Sequence, residues 1–136
     1  LQNEGKIAAI GLSEVDVPQI QAAQAIAEIV SVQNRFNLAD RVHEAVLDHC
    51  EAAGIAFIPW YPVATGALAR PGGVLDEFAR SHGATPAQLA LAWLLRRSPA
   101  MLPIPGTKSV AHLEENVAAV DVTLSDEEFT RLSAAA

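Results

Sequence analysis

Short apolar runs alternate with longer segments of mixed polarity along the whole chain. Four runs are nearly continuous in apolar residues, as in strands buried on both faces, and they span 6–12, 29–33, 55–60 and 101–104. The segments between them carry apolar residues at helical spacing. This alternation predicts an α/β fold in which parallel strands, adjacent in chain order, are joined by right-handed helical crossovers on the outer face. Roughly four such units form either a small open sheet or half of a (βα)8 barrel.

Local capping signals predict where the helices begin and end. Three starts carry a capping residue together with a partner side chain or an early proline: Asp16 with Pro18, Thr85 with Gln88, and Ser125 with Glu128. A further helix is predicted from Asp40 to Ala53, with Val42, Val46 and Leu47 facing the core and Gly54 as its C-terminal cap. The last strand is followed by a helix predicted over 109–120.

Composition narrows the class of protein. The chain has 136 residues, of which 51% are hydrophobic and 18% charged, and this indicates one well-buried domain over 1–136 with no second domain. A net charge of −7 argues against a nucleic-acid partner. No apolar run approaches the ~20 residues of a membrane span, so no membrane partner is expected. The single cysteine, Cys50, cannot form an internal disulfide and favours a reducing, cytoplasmic location.

Polar and aromatic side chains follow the predicted strands. In parallel α/β folds the functional groups lie at the C-terminal ends of strands, where Ser13, Gln33 and Trp60 occur here. The amide of Gln33 can donate and accept at once, as recognition of a carboxamide requires, but pairing with loop backbone explains it equally well. Trp60 offers a flat face for stacking an aromatic ring, and the alternative is a core tryptophan.

The segment after the last predicted strand is a candidate anion site. It passes through Gly106 into a helix that opens with Thr107, Lys108 and Ser109. The unpaired N–H groups and positive dipole end of a helix N-terminus favour a phosphate, and a lysine with two hydroxyls adds donors. The alternative is an ordinary βα turn with a solvated lysine. Similarly, Thr65–Gly66 is either a backbone approach to a pyrophosphate or simple turn chemistry.

Other catalytic and metal-binding patterns are missing from the sequence. His43 and Cys50 are too few for a zinc site, so no metal is expected. There is no nucleophile elbow, Walker loop or G-x-G-x-x-G, and no pair of acids suited to glycoside hydrolysis.

Five stretches, taken in order, resemble the aldo-keto reductase family: 5–13, 32–34, 58–62, 85–95, and 103–109 continued by Glu115 and Asn116. The resemblance covers nearly the whole chain. It is to the second half of that family's (βα)8 barrel only, strands five to eight with the terminal helix. It implies reduction of a small carbonyl substrate with NADPH.

Position by position, the resemblance also implies a set of residues that contact NADP(H). They are Ser13 and Gln33 at the nicotinamide carboxamide, Trp60 on the ring, Val63, Thr65, Gly66 and Leu68 along the pyrophosphate, Gly106, Thr107, Lys108 and Ser109 at the adenosine phosphate, and Glu115 and Asn116 at the adenine. Two positions depart from the family pattern. Glu14 stands where an asparagine is common, and His112, near the 2′-phosphate or adenine, stands where many members have arginine.

The family's catalytic tyrosine, with its aspartate, lysine and histidine, comes from the first half of the barrel, and Tyr61 does not match it. No catalytic residue is therefore assigned. We expect the C-terminal part of an NADPH-dependent aldo-keto reductase, inactive alone. One alternative is a non-catalytic half-barrel that binds a nucleotide, or that docks with the missing N-terminal half or a second copy. Another is an unrelated small α/β domain that binds a phosphorylated metabolite.

Overall fold

The computed structural model of the chain describes residues 1–63, 72 and 74–135. In these ranges the regular elements follow one another as β1 (Ile10–Ser13), α1 (Val17–Gln24), β2 (Ile29–Arg35), α2 (Glu44–Ala53), β3 (Ala56–Trp60), α3 (Val74–His82), α4 (Pro86–Arg97), α5 (Val110–Ala118) and α6 (Asp126–Ala134). A short 3-10 turn, Ala119–Asp121, follows α5. None of the helices in the described ranges is long and apolar enough to cross a bilayer.

The sheet is parallel, as the alternation of elements predicts. Its three strands lie in the order β1-β2-β3. The first strand is shorter than the predicted 6–12, because it begins at Ile10, which pairs with Ile29 at the start of β2. Among the residues that the structure describes, those before Ile10 pair with no strand.

The prediction of a fourth strand over 101–104 is wrong. Met101 forms a single parallel bridge with Phe57, which exchanges two backbone hydrogen bonds of 2.8 Å with the residues flanking Met101. The next donor on β3 toward this segment would be residue 59, which is a proline without an N–H. The ladder therefore stops after one bridge, and the segment continues beside the sheet as extended chain.

The two faces of the sheet have different surroundings. Val32 and Phe57 are fully buried and pack with Ile20 of α1, Leu47 of α2 and Trp93 of α4 in one hydrophobic core. The opposite face carries two rows set by the strand register, Gly11–Ser31–Ala56 and Ser13–Gln33–Ile58. The first row is made of small residues, and a Cβ at Gly11 would collide with the Ser31 hydroxyl.

Most predicted helix boundaries are confirmed. The helices α1, α4 and α6 begin with capping boxes at Asp16, Thr85 and Ser125. Gly54 ends α2 in the left-handed conformation, with φ of 68°.

The predicted start of α2 at Asp40 is wrong. Asp40 exchanges two backbone hydrogen bonds with Asn37 and pairs with Arg35 at 2.8 Å, so it closes a turn instead of capping a helix. The helix begins at Glu44, and Val42, which precedes it, is 70% exposed and does not face the core.

Cys50 lies on the buried face of α2. It is fully buried and unpaired, and burial raises the pKa of its thiol to about 11. The thiol therefore behaves as a small core side chain at neutral pH.

Two buried asparagines connect β2 to the loops on either side of it. Asn34, fully buried at the end of the strand, donates from Nδ2 to the carbonyl of Val15 (2.7 Å) and accepts from the Val15 N–H (3.1 Å). Asn37 donates from Nδ2 to the carbonyl of Tyr61 (3.1 Å), while its Oδ1 accepts from two N–H groups of its own turn. The loops after β1 and β3 are thereby held at fixed positions relative to β2.

Replacing the Asn34 amide should destabilise the fold. Asn34→Ala leaves the N–H and carbonyl of Val15 without partners, and we expect a fall in the free energy of unfolding of about 2–3 kcal/mol, as for unsatisfied buried polar groups. Urea unfolding of the purified protein measures this change. Asn3→Ala, at an exposed position, is the matched control and should change the value little. Equal effects of the two substitutions would contradict the anchoring role.

The capping box of α6 should make stability depend on pH. The backbone N–H and hydroxyl of Ser125, helped by His82, lower the pKa of Glu128 from 4.5 to about 2. The stabilisation is therefore complete above pH 4.5 and is lost as pH falls toward 2. At pH 7 we expect Glu128→Ala to lower the free energy of unfolding by about 1 kcal/mol.

Chemical unfolding at a series of pH values tests this dependence. The difference between wild type and Glu128→Ala should shrink as the pH falls below 4.5. The neighbouring Glu127→Ala should show a much smaller difference at pH 7. A gap between wild type and Glu128→Ala that stays constant down to pH 2 would exclude this carboxylate as the cause.

Candidate functional site

Ser13 and Gln33 lie side by side at the C-terminal edge of the sheet. They are register partners in β1 and β2, so their side chains share the face opposite the helices. The hydrogen bonds among the described residues leave both side chains without a protein partner. A hydroxyl and an amide placed together in this way can meet the donor and acceptor of a carboxamide.

Trp60 is the last residue of β3. It lies two residues beyond Ile58, the register partner of Gln33, and therefore nearer the C-terminal edge of the sheet. It pairs in register with Arg35, and 36% of it is exposed, so it is not the core tryptophan of the alternative interpretation. The core position belongs to Trp93, which is fully buried. The guanidinium of Arg35, paired with Asp40, lies 6.0 Å from the centroid of the Trp60 ring. The indole thus presents an aromatic surface at the edge of the sheet.

Glu14 links the ends of all three strands. It follows β1, and its Oε1 accepts from the indole Nε1 of Trp60 (2.5 Å) and from the backbone N–H of Arg35 (2.8 Å). Its Oε2 lies 3.7 Å from Nε2 of His43. The indole donor is the main cause of a lowered pKa for Glu14, so the carboxylate is charged at neutral pH.

Two residues at this edge have unusual backbone conformations. Glu14 and Tyr61 have φ angles of 52° and 59°, in the left-handed region that few non-glycine residues adopt. Each directly follows a strand end. The Glu14 N–H donates to the carbonyl of Gln33 in β2 (3.0 Å), and the Tyr61 carbonyl accepts from Asn37 in the turn after β2. Backbone strain of this kind is common at functional sites.

The start of α5 forms a second part of the site. Ser109 is the N-cap, its Oγ accepts from the N–H of His112 (3.4 Å), and Thr107 Oγ1 accepts from the N–H of Ser109 (3.1 Å). The side chain of Lys108 is exposed. These hydroxyls satisfy part of the helix terminus, and they leave a hydroxyl-rich, lysine-bearing N-terminus facing solvent.

An open cavity of about 310 Å³ lies beside this helix start. Six of the predicted site residues line it: Val63, Gly106, Thr107, His112, Glu115 and Asn116. The other two lining residues are Ala87 of α4 and Pro105, which precedes Gly106. Lys108 does not line the cavity but lies next to it in sequence. Thr65, Gly66 and Leu68 lie outside the described residues, so their contribution stays a prediction.

Thr85 and Gln88 hold Glu115, one of the lining residues, in a way that sequence reasoning missed. Thr85 Oγ1 donates to Glu115 Oε1 (2.5 Å), and Gln88 Nε2 donates to the Glu115 carbonyl (3.0 Å). The capping box of α4 therefore also fixes α5. The motif is visible in the sequence, but its contact with a residue about thirty positions away depends on the tertiary fold. Among the described residues, no three His, Cys, Asp or Glu side chains could together hold a metal ion.

The sequence is similar to those of known oxidoreductases. The chain is 54% identical over 132 residues to an uncharacterized oxidoreductase of Schizosaccharomyces pombe, covering 97% of this chain and 43% of that protein. It is 48% identical over 132 residues to pyridoxine 4-dehydrogenase of Escherichia coli, covering 97% and 46%. The chain thus spans about half the length of these relatives.

Solved structures agree with the sequence relationships. An aldo/keto reductase from Klebsiella pneumoniae, solved with NADP and acetate, matches with a TM-score of 0.89 and 32% identity, over 98% of this chain and 50% of that one. A second structure from that organism contains NADPH. The sequence model of the Aldo/keto reductase family matches residues 1–136. The chain therefore belongs to the aldo/keto reductase family, an oxidoreductase family whose cofactor is NADP(H).

Proposed function

We propose that this chain is the C-terminal half, strands five to eight with the terminal helix, of an NADPH-dependent reductase that interconverts a carbonyl and an alcohol. The observation that carries the proposal is the adjacency of Ser13 and Gln33, with exposed Trp60 beside them, at the edge where functional groups gather in parallel α/β folds. In the part of the chain that the structure describes, the 101–104 segment pairs with β3 only through the parallel bridge between Met101 and Phe57, and this parallel pairing is compatible with the proposal.

The residues at the sheet edge fit the nicotinamide end of NADP(H). The Ser13 hydroxyl and Gln33 amide supply donors and an acceptor for a carboxamide, and the Trp60 indole supplies a face for a flat ring. When bound, NADP(H) supplies or accepts the hydride of the reaction. The chain's own contribution is to orient the nicotinamide ring and to hold it at a fixed edge.

The cavity beside α5 fits the adenosine end. Its wall joins the N-terminal turn of a helix to polar side chains, namely Thr107, His112, Glu115 and Asn116. A phosphate gains from the helix dipole, from the adjacent hydroxyls and from the charge of Lys108. Val63, Thr65, Gly66 and Leu68 would lie along the pyrophosphate between the two ends.

We place the acid–base residues outside these 136 residues, on the resemblance to the family. Proton transfer needs a group of suitable pKa within hydrogen-bond reach of the substrate oxygen. No residue of this chain occupies the position of the family's catalytic tyrosine. We assign this chain cofactor binding and orientation only.

The partner of this chain is, in this proposal, the N-terminal half of the same barrel. Several large apolar side chains of α4, α5 and the 101–104 segment are exposed: Leu95, Leu102, Ile104, Leu113 and Val117. An open, largely apolar groove of about 280 Å³ is lined by three of them, Leu95, Leu113 and Val117, together with Pro103 and Pro105. Relatives twice as long have a further half-chain with which to cover such a surface. A second copy of this chain is the competing occupant.

The substrate of the complete protein would be a small carbonyl compound or the corresponding alcohol. The relative from Escherichia coli is named pyridoxine 4-dehydrogenase, so pyridoxine is a suitable first alcohol to test. The unpaired, fully buried Cys50 is consistent with a cytoplasmic location for the complete protein.

Activity should require residues beyond this chain. We expect the purified 136-residue chain to oxidise no NADPH with a simple aldehyde and to reduce no NADP⁺ with pyridoxine, whereas the full-length protein should turn over at least one of them. Absorbance of the reduced nicotinamide measures both directions. Turnover by the short chain would overturn the assignment, and a full-length protein that binds NADPH but turns over neither compound would favour a non-catalytic nucleotide-binding role.

Lys108 should discriminate between the two nicotinamide cofactors. A 2′-phosphate carries nearly two negative charges, and a site that prefers NADPH needs a cation close to it. In the full-length protein we expect Lys108→Ala to weaken NADPH binding by about 1–3 kcal/mol, the range for losing a charge-assisted hydrogen bond, and to leave NADH nearly unchanged. Isothermal titration with each cofactor gives the two affinities.

Lys6→Ala is a matched control, because Lys6 is paired with Glu4 near the N-terminus, far from the α5 helix in sequence. It should change neither affinity. Equal weakening of NADPH and NADH by Lys108→Ala would place this lysine away from the 2′-phosphate. No change in either affinity would make it an ordinary solvated lysine.

A further inference from the structure

Glu14 occupies a backbone conformation that is unfavourable for its residue type. Its φ of 52° lies in the left-handed region, where an L residue with a Cβ is strained. The strain is offset by contacts that Glu14 makes in this conformation. The N–H donates to the Gln33 carbonyl, and the carboxylate accepts from two donors on the neighbouring strands.

One of these donors is the indole N–H of Trp60. A hydrogen bond of 2.5 Å to the carboxylate fixes the rotation of an indole that is otherwise on the exposed edge of the sheet. The second donor, the backbone N–H of Arg35, fixes the carboxylate itself at 2.8 Å. The ring plane of Trp60 is therefore held from its edge, which leaves the ring faces for stacking and for the guanidinium of Arg35.

The carboxylate also places a negative charge at this edge. Its ionisable neighbours are His43, at 3.7 Å, and Arg35, whose guanidinium is already paired with Asp40 at 2.8 Å. Half of the Glu14 side chain is exposed, so its charge acts on the space above the strand ends. The nicotinamide ring is positive in NADP⁺ and neutral in NADPH. A fixed negative charge and the electron-rich face of an indole both favour the positive ring.

We propose that Glu14 is a positioning and selecting residue: it fixes the Trp60 ring and favours bound NADP⁺ relative to NADPH. The inference rests on the proposed function, in which Ser13, Gln33 and Trp60 hold the nicotinamide. Its direct consequence is a lower reduction potential for the bound cofactor, which favours hydride transfer from NADPH to the carbonyl within the site. The positioning part does not need the cofactor, so it is tested separately.

The positioning part is tested on the cofactor-free, full-length protein by the NMR resonance of the Trp60 indole N–H, assigned by its loss in Trp60→Phe. Glu14→Ala should shift this resonance clearly, because the indole loses its carboxylate acceptor. Glu14→Gln, which keeps an oxygen acceptor without the charge, should shift it less. Glu28→Ala, at the opposite end of the sheet before β2, should leave it unchanged. An unshifted resonance in Glu14→Ala would overturn the positioning role.

The selecting part is tested by the ratio of the dissociation constants for NADP⁺ and NADPH. Glu14→Gln should change this ratio about fivefold in favour of NADPH, the size expected for one screened charge pair. Glu14→Ala should change it by a similar factor, and Glu28→Gln should not change it. An unchanged ratio in Glu14→Gln would overturn the selecting role. If the wild type binds neither cofactor, the proposed function and the selecting role are both wrong, and the indole resonance still decides whether Glu14 positions Trp60.

Discussion

Two buried amides determine where the polar groups of this protein lie. Asn34 and Asn37 come from the end of β2 and the turn that follows it, and both are almost completely buried. Through them the loop after β1 and the loop after β3 are attached to the central strand. A buried amide is tolerated only where its donors and acceptors are matched, so each attachment has one geometry. Asn37 bonds Tyr61 itself, and Asn34 bonds Val15, the residue after Glu14, so the amides anchor the chain at or next to the two positions of positive φ.

The proposed cofactor site has a negative charge at one end and positive charge at the other. The carboxylate of Glu14 lies at the edge that would receive the nicotinamide, and the positive end of α5 with Lys108 lies where the phosphate would bind. A dinucleotide with an oxidised ring has its positive charge at one end and its phosphates toward the other. The excess of acidic residues in the chain as a whole is therefore compatible with binding a polyanion, because the relevant charges are local.

Local signals in the sequence predicted local structure well. The capping boxes at Thr85 and Ser125 and the glycine at the end of α2 involve residues within one helical turn, and all are confirmed. The 101–104 segment itself gives no sign that its pairing stops, because the missing N–H belongs to Pro59, on the neighbouring strand. Parallel topology also predicted that Ser13 and Gln33 follow adjacent strands, which the register confirms. The contacts of Glu14 with Trp60 and of Thr85 with Glu115 join residues 46 and 30 positions apart, and no local pattern indicates them.

The burial of Cys50 has a practical consequence for experiments on this chain. A thiol that is fully buried and protonated at neutral pH cannot react with an alkylating reagent until the contact between α2 and the sheet opens. Because it is the only cysteine among the 136 residues, its labelling rate counts openings of that one region. The alkylation rate of Cys50 is therefore a direct measure of local unfolding around α2. A second cysteine placed on the surface could carry a dye, because the buried Cys50 thiol would not compete for the reagent.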